Sequence, residues 1–107
     1  MKNKALTQSE AMALHKAYPD WQMTDEGRAL FISYRFANFR RAFAFMSEIG
    51  LAAEKFDHHP EWSNVYGRVD IKMTTHDCDG LSVLDEKMVP LISAAAMRFE
   101  AKVGQAD

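Results

Sequence analysis

The sequence predicts an α+β fold, a four-stranded antiparallel sheet with three helices packed on one face in the order α-β-β-α-β-β-α. Three observations lead there. Residues 29–36 are rich in strand formers and residues 69–74 alternate apolar and polar side chains with the period of a half-buried strand, each with a turn signal and a shorter extended piece before it. Three other segments repeat apolar residues every three or four positions behind good helix N-caps. Hairpins and helices interleave, which fits an antiparallel sheet with its helices gathered in one layer.

Each element has its own local reason. "TQSE" at 7–10 is a capping box, Thr7 facing Glu10, and Ala11, Leu14 and Tyr18 carry a short helix as far as Pro19. "WQM" at 21–23 is extended and "DEG" at 25–27 is turn chemistry. "ALFISYRF" at 29–36 is a strand, with Leu30, Ile32, Tyr34 and Phe36 on one face. Asn38 caps the longest helix, whose core stripe is expected at Phe39, Ala42, Phe43, Met46, Ile49, Ala53 and Phe56. Gly50 within it costs about 1 kcal/mol relative to Ala, which predicts close approach to another backbone.

Pro60 biases His59 away from helical geometry, so this helix ends near His58. "WSNVYGRVDIKMTTH" at 62–76 makes a second hairpin turning at Gly67. Ser82 and Asp85 form another capping pattern, and the last helix is expected to run to about Lys102 on Met88, Leu91 or Ile92, Ala95 and Phe99. Pro90 lies two turns inside it and predicts a kink.

The totals limit what the chain can be. At 107 residues it is expected to form one domain, residues 1–107. A net charge of −2 gives no basic footprint for direct nucleic-acid binding. Cys78 is the only cysteine, so no intrachain disulfide can form and a reducing compartment fits best. No uninterrupted apolar run follows the first lysines, and no segment approaches the ~18 apolar residues of a membrane span, so a cytoplasmic location is expected.

The chemistry lies with the histidines. His15 sits mid-helix beside Lys16 and is expected at the surface. His58 and His59 end the long helix and His76 ends the last strand, and element ends are where side chains converge on pockets. Helix-terminal histidines are also favoured by the dipole alone. A metal site would draw on His58, His59, His76, Asp77 and Cys78, but neighbouring residues of an extended chain point apart, so His58 and His59 grip one ion poorly. Acid–base chemistry has no such requirement, because one imidazole can accept a proton while another donates one. Trp62 could wall a pocket for a planar heterocycle.

Glu54, then "HHP" at 58–60, Tyr66, His76 and Asp85, within "AEKFDHHPEWSNVYGRVDIKMTTHDCDGLSVLD", resemble the signature of the pterin-4a-carbinolamine dehydratases, as does "ANFRRAFAFM" at 37–46. The resemblance implies a hydro-lyase that converts 4a-hydroxytetrahydropterin to quinonoid dihydropterin and water, recycling the tetrahydrobiopterin of aromatic amino acid hydroxylases. By this resemblance His58, His59 and His76 are the catalytic histidines, with His58 and His76 the acid–base pair and His59 mainly for binding. Asp57 and the "TTHD" segment, Thr74, Thr75, His76 and Asp77, line the pterin site together with Glu54 and Trp62. Glu54 could hold the His58 ring one turn away, and Asp85 supports the site or serves only the Ser82 cap.

Pterin is then the substrate, and neither a separate cofactor nor a metal is implied. A homodimer or homotetramer, with a hydroxylase or a transcription factor as a further partner, is implied as well. The alternative function is a protein-interaction module acting as a dimerisation cofactor or transcriptional regulator. Ser63, where the family often has a bulky aromatic, and Pro90 depart from the pattern without touching the histidines.

Overall fold

The computed structural model describes residues 4–104, so residues 1–3 and 105–107 of the expected domain lie outside the described residues. Helix α1 spans Gln8–Ala17. Its capping box is closed by Glu10 N–H donating to Thr7 Oγ1 at 3.1 Å and Thr7 N–H donating to Glu10 Oε1 at 2.8 Å. Ala11 and Leu14 turn inward as expected. His15 does not sit free at the surface. It is half-buried, and its Nε2 donates to the Trp21 carbonyl at 2.8 Å, tying the helix to the start of the sheet.

Strands β1 (Gln22–Thr24) and β2 (Ala29–Arg35) form the first hairpin across a turn in which Asp25, Glu26 and Gly27 take φ of 53°, 59° and 86°. Strands β3 (Glu61–Val65) and β4 (Arg68–Met73) form the second, turning at Tyr66 and Gly67. A Cβ on Gly67 would lie 2.6 Å from the Phe36 carbonyl oxygen, so only glycine permits that approach. The antiparallel sheet runs β1-β2-β4-β3, with Ile32 opposite Ile71 and Trp62 opposite Ile71 on the other side.

One face of the sheet is the core. Leu30, Ile32 and Tyr34 of β2 and Val69, Ile71 and Met73 of β4 are buried beneath the helices. The other face is polar and knitted together, Ser33 donating to Asp70 at 2.5 Å while accepting from Arg35 at 2.5 Å. This is the α+β layer arrangement the alternation predicts.

Helix α2 spans Phe39–Phe56 behind Asn38, whose Oδ1 accepts from Arg41 N–H at 2.9 Å. Its core stripe keeps the predicted Ala42, Met46, Ile49, Ala53 and Phe56 but takes Phe45 in place of Phe39 and Phe43. Ala42, Phe45, Ile49 and Ala53 are buried, whereas Phe39 and Phe43 are 50% and 57% exposed and stack on each other with ring centroids 5.6 Å apart. Both stripes have helical spacing, and only packing chooses between two adjacent apolar faces. Gly50 has open space where a Cβ would stand, so close approach is not its reason.

Helix α3 spans Val83–Arg98 and runs unbroken with Pro90 inside it. It ends four residues earlier than predicted. Glu100 takes φ of 61°, and Lys102–Val103 become a short β5 that pairs with Tyr34 and Arg35, the half of β2 that β1 leaves uncovered. Among the described residues the sheet therefore has five strands where four were predicted. Among the described residues no helix is long and apolar enough to cross a membrane.

Candidate active site

Four element ends meet at one place: the C-terminus of α2, the start of β3, the end of β4 and the N-terminus of α3. Between them lies a cavity of about 600 Å³ lined by Phe56, Asp57, His58, His59, Glu61, Thr74, Thr75, His76, Asp77 and Leu84. Its volume is within the range of small-molecule sites. The three histidines singled out in the sequence therefore share a single cavity, with Asp57, Thr74, Thr75 and Asp77 beside them.

The chain reverses into this cavity at Asp57, which closes α2 in the left-handed conformation, φ 52° and ψ 44°. His58 N–H then donates to the Ala53 carbonyl at 3.0 Å, and Pro60, buried, prevents the helix from continuing. This turn sends the adjacent imidazoles to different partners. His58 is buried, 8% exposed, with Nε2 at 2.6 Å from Asp85 Oδ1. His59 is exposed, with Nε2 at 3.0 Å from Glu54 Oε2. Glu54 thus holds His59, not His58, because the left-handed residue between helix and histidines swings the second ring back over the last turn.

Asp85, fully buried, belongs to a closed set of hydrogen bonds. Its Oδ2 accepts from Ser82 N–H at 2.9 Å and from Thr75 Oγ1 at 2.7 Å, while Oδ1 faces His58. Ser82 Oγ accepts from Leu84 N–H at 3.1 Å and lies 2.7 Å from Thr75 Oγ1. Only one assignment uses each proton once. Leu84 N–H donates to Ser82, the Ser82 hydroxyl donates to Thr75, and the Thr75 hydroxyl donates to Asp85. The carboxylate then accepts from the His58 Nε2–H, which leaves Nδ1 as the ring nitrogen with a lone pair for the cavity. The helix cap and the support of His58 are one structure, and the capping pattern of the sequence reveals only its first half.

His76 opens a three-residue turn, His76–Cys78, that is closed on itself by Thr75 and Gly80. Thr75 N–H donates to the Gly80 carbonyl at 2.8 Å, Gly80 N–H returns to Thr75 at 3.2 Å, and Asp79 takes φ of 52°. The His76 side chain is 82% exposed, and its Nε2 lies 2.8 Å from Glu61 Oε2. Glu61 lines the cavity and was not singled out in the sequence, where "PEW" offered only a charge at a strand start. Thr74 Oγ1 donates to the Arg28 carbonyl at 2.7 Å, which fixes the end of β4.

Trp62 is placed elsewhere. It points to the helix side of β3 and packs against the core, and the apolar cavity wall is made by Phe56 and Leu84 instead. The Cys78 thiol, at the back of the turn, is pushed above its usual range by burial and by the nearby carboxylates of Asp85 and Asp77. Among the described residues no group of three His, Cys, Asp or Glu side chains is arranged to hold a metal ion.

The arrangement can pass protons. Each cavity imidazole has Nε2 on a carboxylate, so each keeps the other ring nitrogen for exchange with a bound molecule. The same residues place the chain among known proteins. The sequence profile of the family described as "Pterin 4 alpha carbinolamine dehydratase" matches residues 4–95. A protein of Novosphingobium aromaticivorans named "Putative pterin-4-alpha-carbinolamine dehydratase" is 49% identical over 83 residues, covering 78% of this chain and 86% of the relative. One of the same name from Rhizorhabdus wittichii is 49% identical over 96 residues, covering 90% and 99%.

The crystal structure of a "transcriptional coactivator/pterin dehydratase" from Brucella melitensis superposes with a TM-score of 0.82 at 43% identity, covering 87% of this chain and 99% of that one. Signature, fold and relatives agree, and the chain belongs to the pterin 4 alpha carbinolamine dehydratase family.

Proposed function

We propose that this chain dehydrates a 4a-hydroxytetrahydropterin to the quinonoid dihydropterin, in the recycling of tetrahydrobiopterin. The observation that carries the reading is the set of three imidazoles around one cavity, the deepest of them backed by a buried carboxylate. The reaction breaks the C4a–O bond, removes the N5 proton and releases both as water. His58 accepts the N5 proton at Nδ1, and the imidazolium so formed is stabilised by Asp85, as in the Asp-backed histidine of serine hydrolases. His76 delivers a proton to the departing hydroxyl. His59, Asp57, Thr74, Thr75 and Asp77 hold the pterin.

The test is to add the protein to freshly generated 4a-hydroxytetrahydropterin and follow its decay by absorbance. The expected result is decay faster than the spontaneous rate, with His58→Ala and His76→Ala each losing about 10²- to 10⁴-fold of the enhancement. Decay at the spontaneous rate removes the reading.

A second reading is a protein-interaction role, as dimerisation cofactor or transcriptional regulator, in a homodimer or homotetramer. It is favoured by the exposed Phe39–Phe43 pair on α2 and by the outer edge of β3, which pairs with no other strand among the described residues. The double variant His59→Ala/His76→Ala separates the two, because it abolishes catalysis and leaves a partner surface on α2 unchanged.

A further inference from the structure

We infer that Glu61 is the positioning residue for His76, holding an otherwise mobile imidazole at the cavity wall. His76 needs such a group more than its neighbours do. His58 is enclosed by the core, whereas His76 stands on a three-residue turn with its side chain 82% exposed. An exposed imidazole samples several rotamers unless something selects one, and the contact seen is Glu61 Oε2 at 2.8 Å from Nε2.

Glu61 is itself well placed to hold. It is the first residue of β3, directly after the buried Pro60, so its backbone is fixed on one side by a proline ring and on the other by the strand ladder. In that ladder it lies opposite Lys72. The Lys72 ammonium is engaged by Asp25 at 2.7 Å. It is held above its usual range chiefly by that bond and, to a smaller degree, by the field of Glu61. Glu61 therefore sits beside a cation whose close partner is another carboxylate. It is held in place electrostatically, and its oxygens remain for the imidazole.

The pattern also recurs. Glu54 holds His59 and Asp85 holds His58 through the same ring nitrogen, yet neither carboxylate lines the cavity, whereas Glu61 does. Its place in the wall puts the contact with His76 at the cavity itself. With Nε2 engaged there, His76 turns Nδ1 to proton exchange.

The kinetic half of this inference rests on the dehydratase reading and the conformational half does not, so the test has two arms. In the protein without substrate, the χ1 population of His76 is read from three-bond couplings in isotope-labelled material. One rotamer is expected in the natural sequence, averaging among rotamers in Glu61→Ala, and recovery in Glu61→Gln, which keeps an acceptor oxygen. In the dehydration assay Glu61→Ala is expected to lower kcat by roughly 3- to 20-fold with KM changed less than about twofold. That is well short of the ~100-fold or more expected for deleting an acid–base group.

If couplings and kcat both move and Glu61→Gln restores both, the inference stands. If the couplings move but the natural sequence does not accelerate dehydration, the positioning stands and the dehydratase reading falls. If the natural sequence is active and Glu61→Ala leaves either the couplings or kcat unchanged, the inference is overturned.

Discussion

Replacing Asp85 by Asn tests the support of His58 most directly, because the substitution keeps the shape and changes only which atoms can donate. Asp85 accepts three hydrogen bonds, from His58 at 2.6 Å, Thr75 at 2.7 Å and Ser82 N–H at 2.9 Å. An amide has one oxygen and one NH₂ to distribute among them. The Ser82 backbone N–H can only donate, so the amide oxygen must stay on its side, next to Thr75, and the NH₂ must face His58. The imidazole can meet that NH₂ only by moving its proton from Nε2 to Nδ1. The nitrogen left for the cavity then carries a hydrogen and has no lone pair to accept another.

Stability should fall little in Asp85→Asn, by about 1–2 kcal/mol, the difference between charge-assisted and neutral hydrogen bonds. Activity should fall about 10²- to 10⁴-fold, the scale seen when a catalytic histidine is forced into the wrong tautomer. Asp85→Ala inverts the emphasis. It strands buried donors and should cost about 3–5 kcal/mol, as when one partner of a buried pair is removed. Urea midpoints and dehydration rates on both variants separate the effects. Asp85→Asn with activity within threefold of the natural sequence would refute the proton assignment, and an unchanged urea midpoint in Asp85→Ala would refute the buried network.

Further predictions concern the frame around the site. Gly50→Ala should stabilise the protein by about 0.5–1 kcal/mol in urea unfolding, since a Cβ there meets open space and the helix gains propensity; destabilisation would show hidden packing. Phe45→Ala should cost about 3–5 kcal/mol and Phe43→Ala much less in the monomer, because only Phe45 is enclosed; equal costs would contradict the orientation of α2. The raised Cys78 thiol should alkylate with iodoacetamide more slowly at pH 8 than the same thiol in urea. Its rate should keep climbing above the ordinary thiol range, since the neutral form persists to higher pH, and equal native and unfolded rates would count against it. Tyr34 should ionise late in an absorbance titration, burial having pushed it up to about 12, and Tyr34→Phe should remove that late step; an unchanged curve would count against it.

Much of this was legible in the sequence, and the failures have physical causes. Strand-forming residues located β2, and alternation located β4, where buried and half-buried residues alternate along the strand. The capping boxes at Thr7 and Ser82 were legible because their partners lie three residues away. Where the deciding contact was distant, pattern could not reach it. The choice between Phe43 and Phe45 as the core face depends on where the sheet lies. The early end of α3 depends on β2 having half an edge free to pair with Lys102 and Val103. The three histidines stood out by residue type at element ends, and Glu54 and Asp85 stood out beside them, yet Glu61 did not and neither did the pairing of carboxylate with ring. Glu54 is five residues from His59, Glu61 is fifteen from His76 and Asp85 is twenty-seven from His58.

Why two imidazoles stand side by side before a proline follows from the same geometry. A left-handed residue ahead of them ends the helix and a proline behind biases His59 away from helical backbone, so the two rings do not stack on one helix face. One ring therefore reaches inward to a carboxylate on α3, and the other reaches outward to a carboxylate in the last turn of α2. The two environments differ in burial and in solvent while their ring chemistry is identical, so one dipeptide supplies one enclosed imidazole and one open to solvent. A spacing of four residues on a helix would have put both rings on one face in like surroundings, suited to gripping a single ion. Adjacency, a weakness for metal binding, is what lets this site keep its two neighbouring histidines unequal.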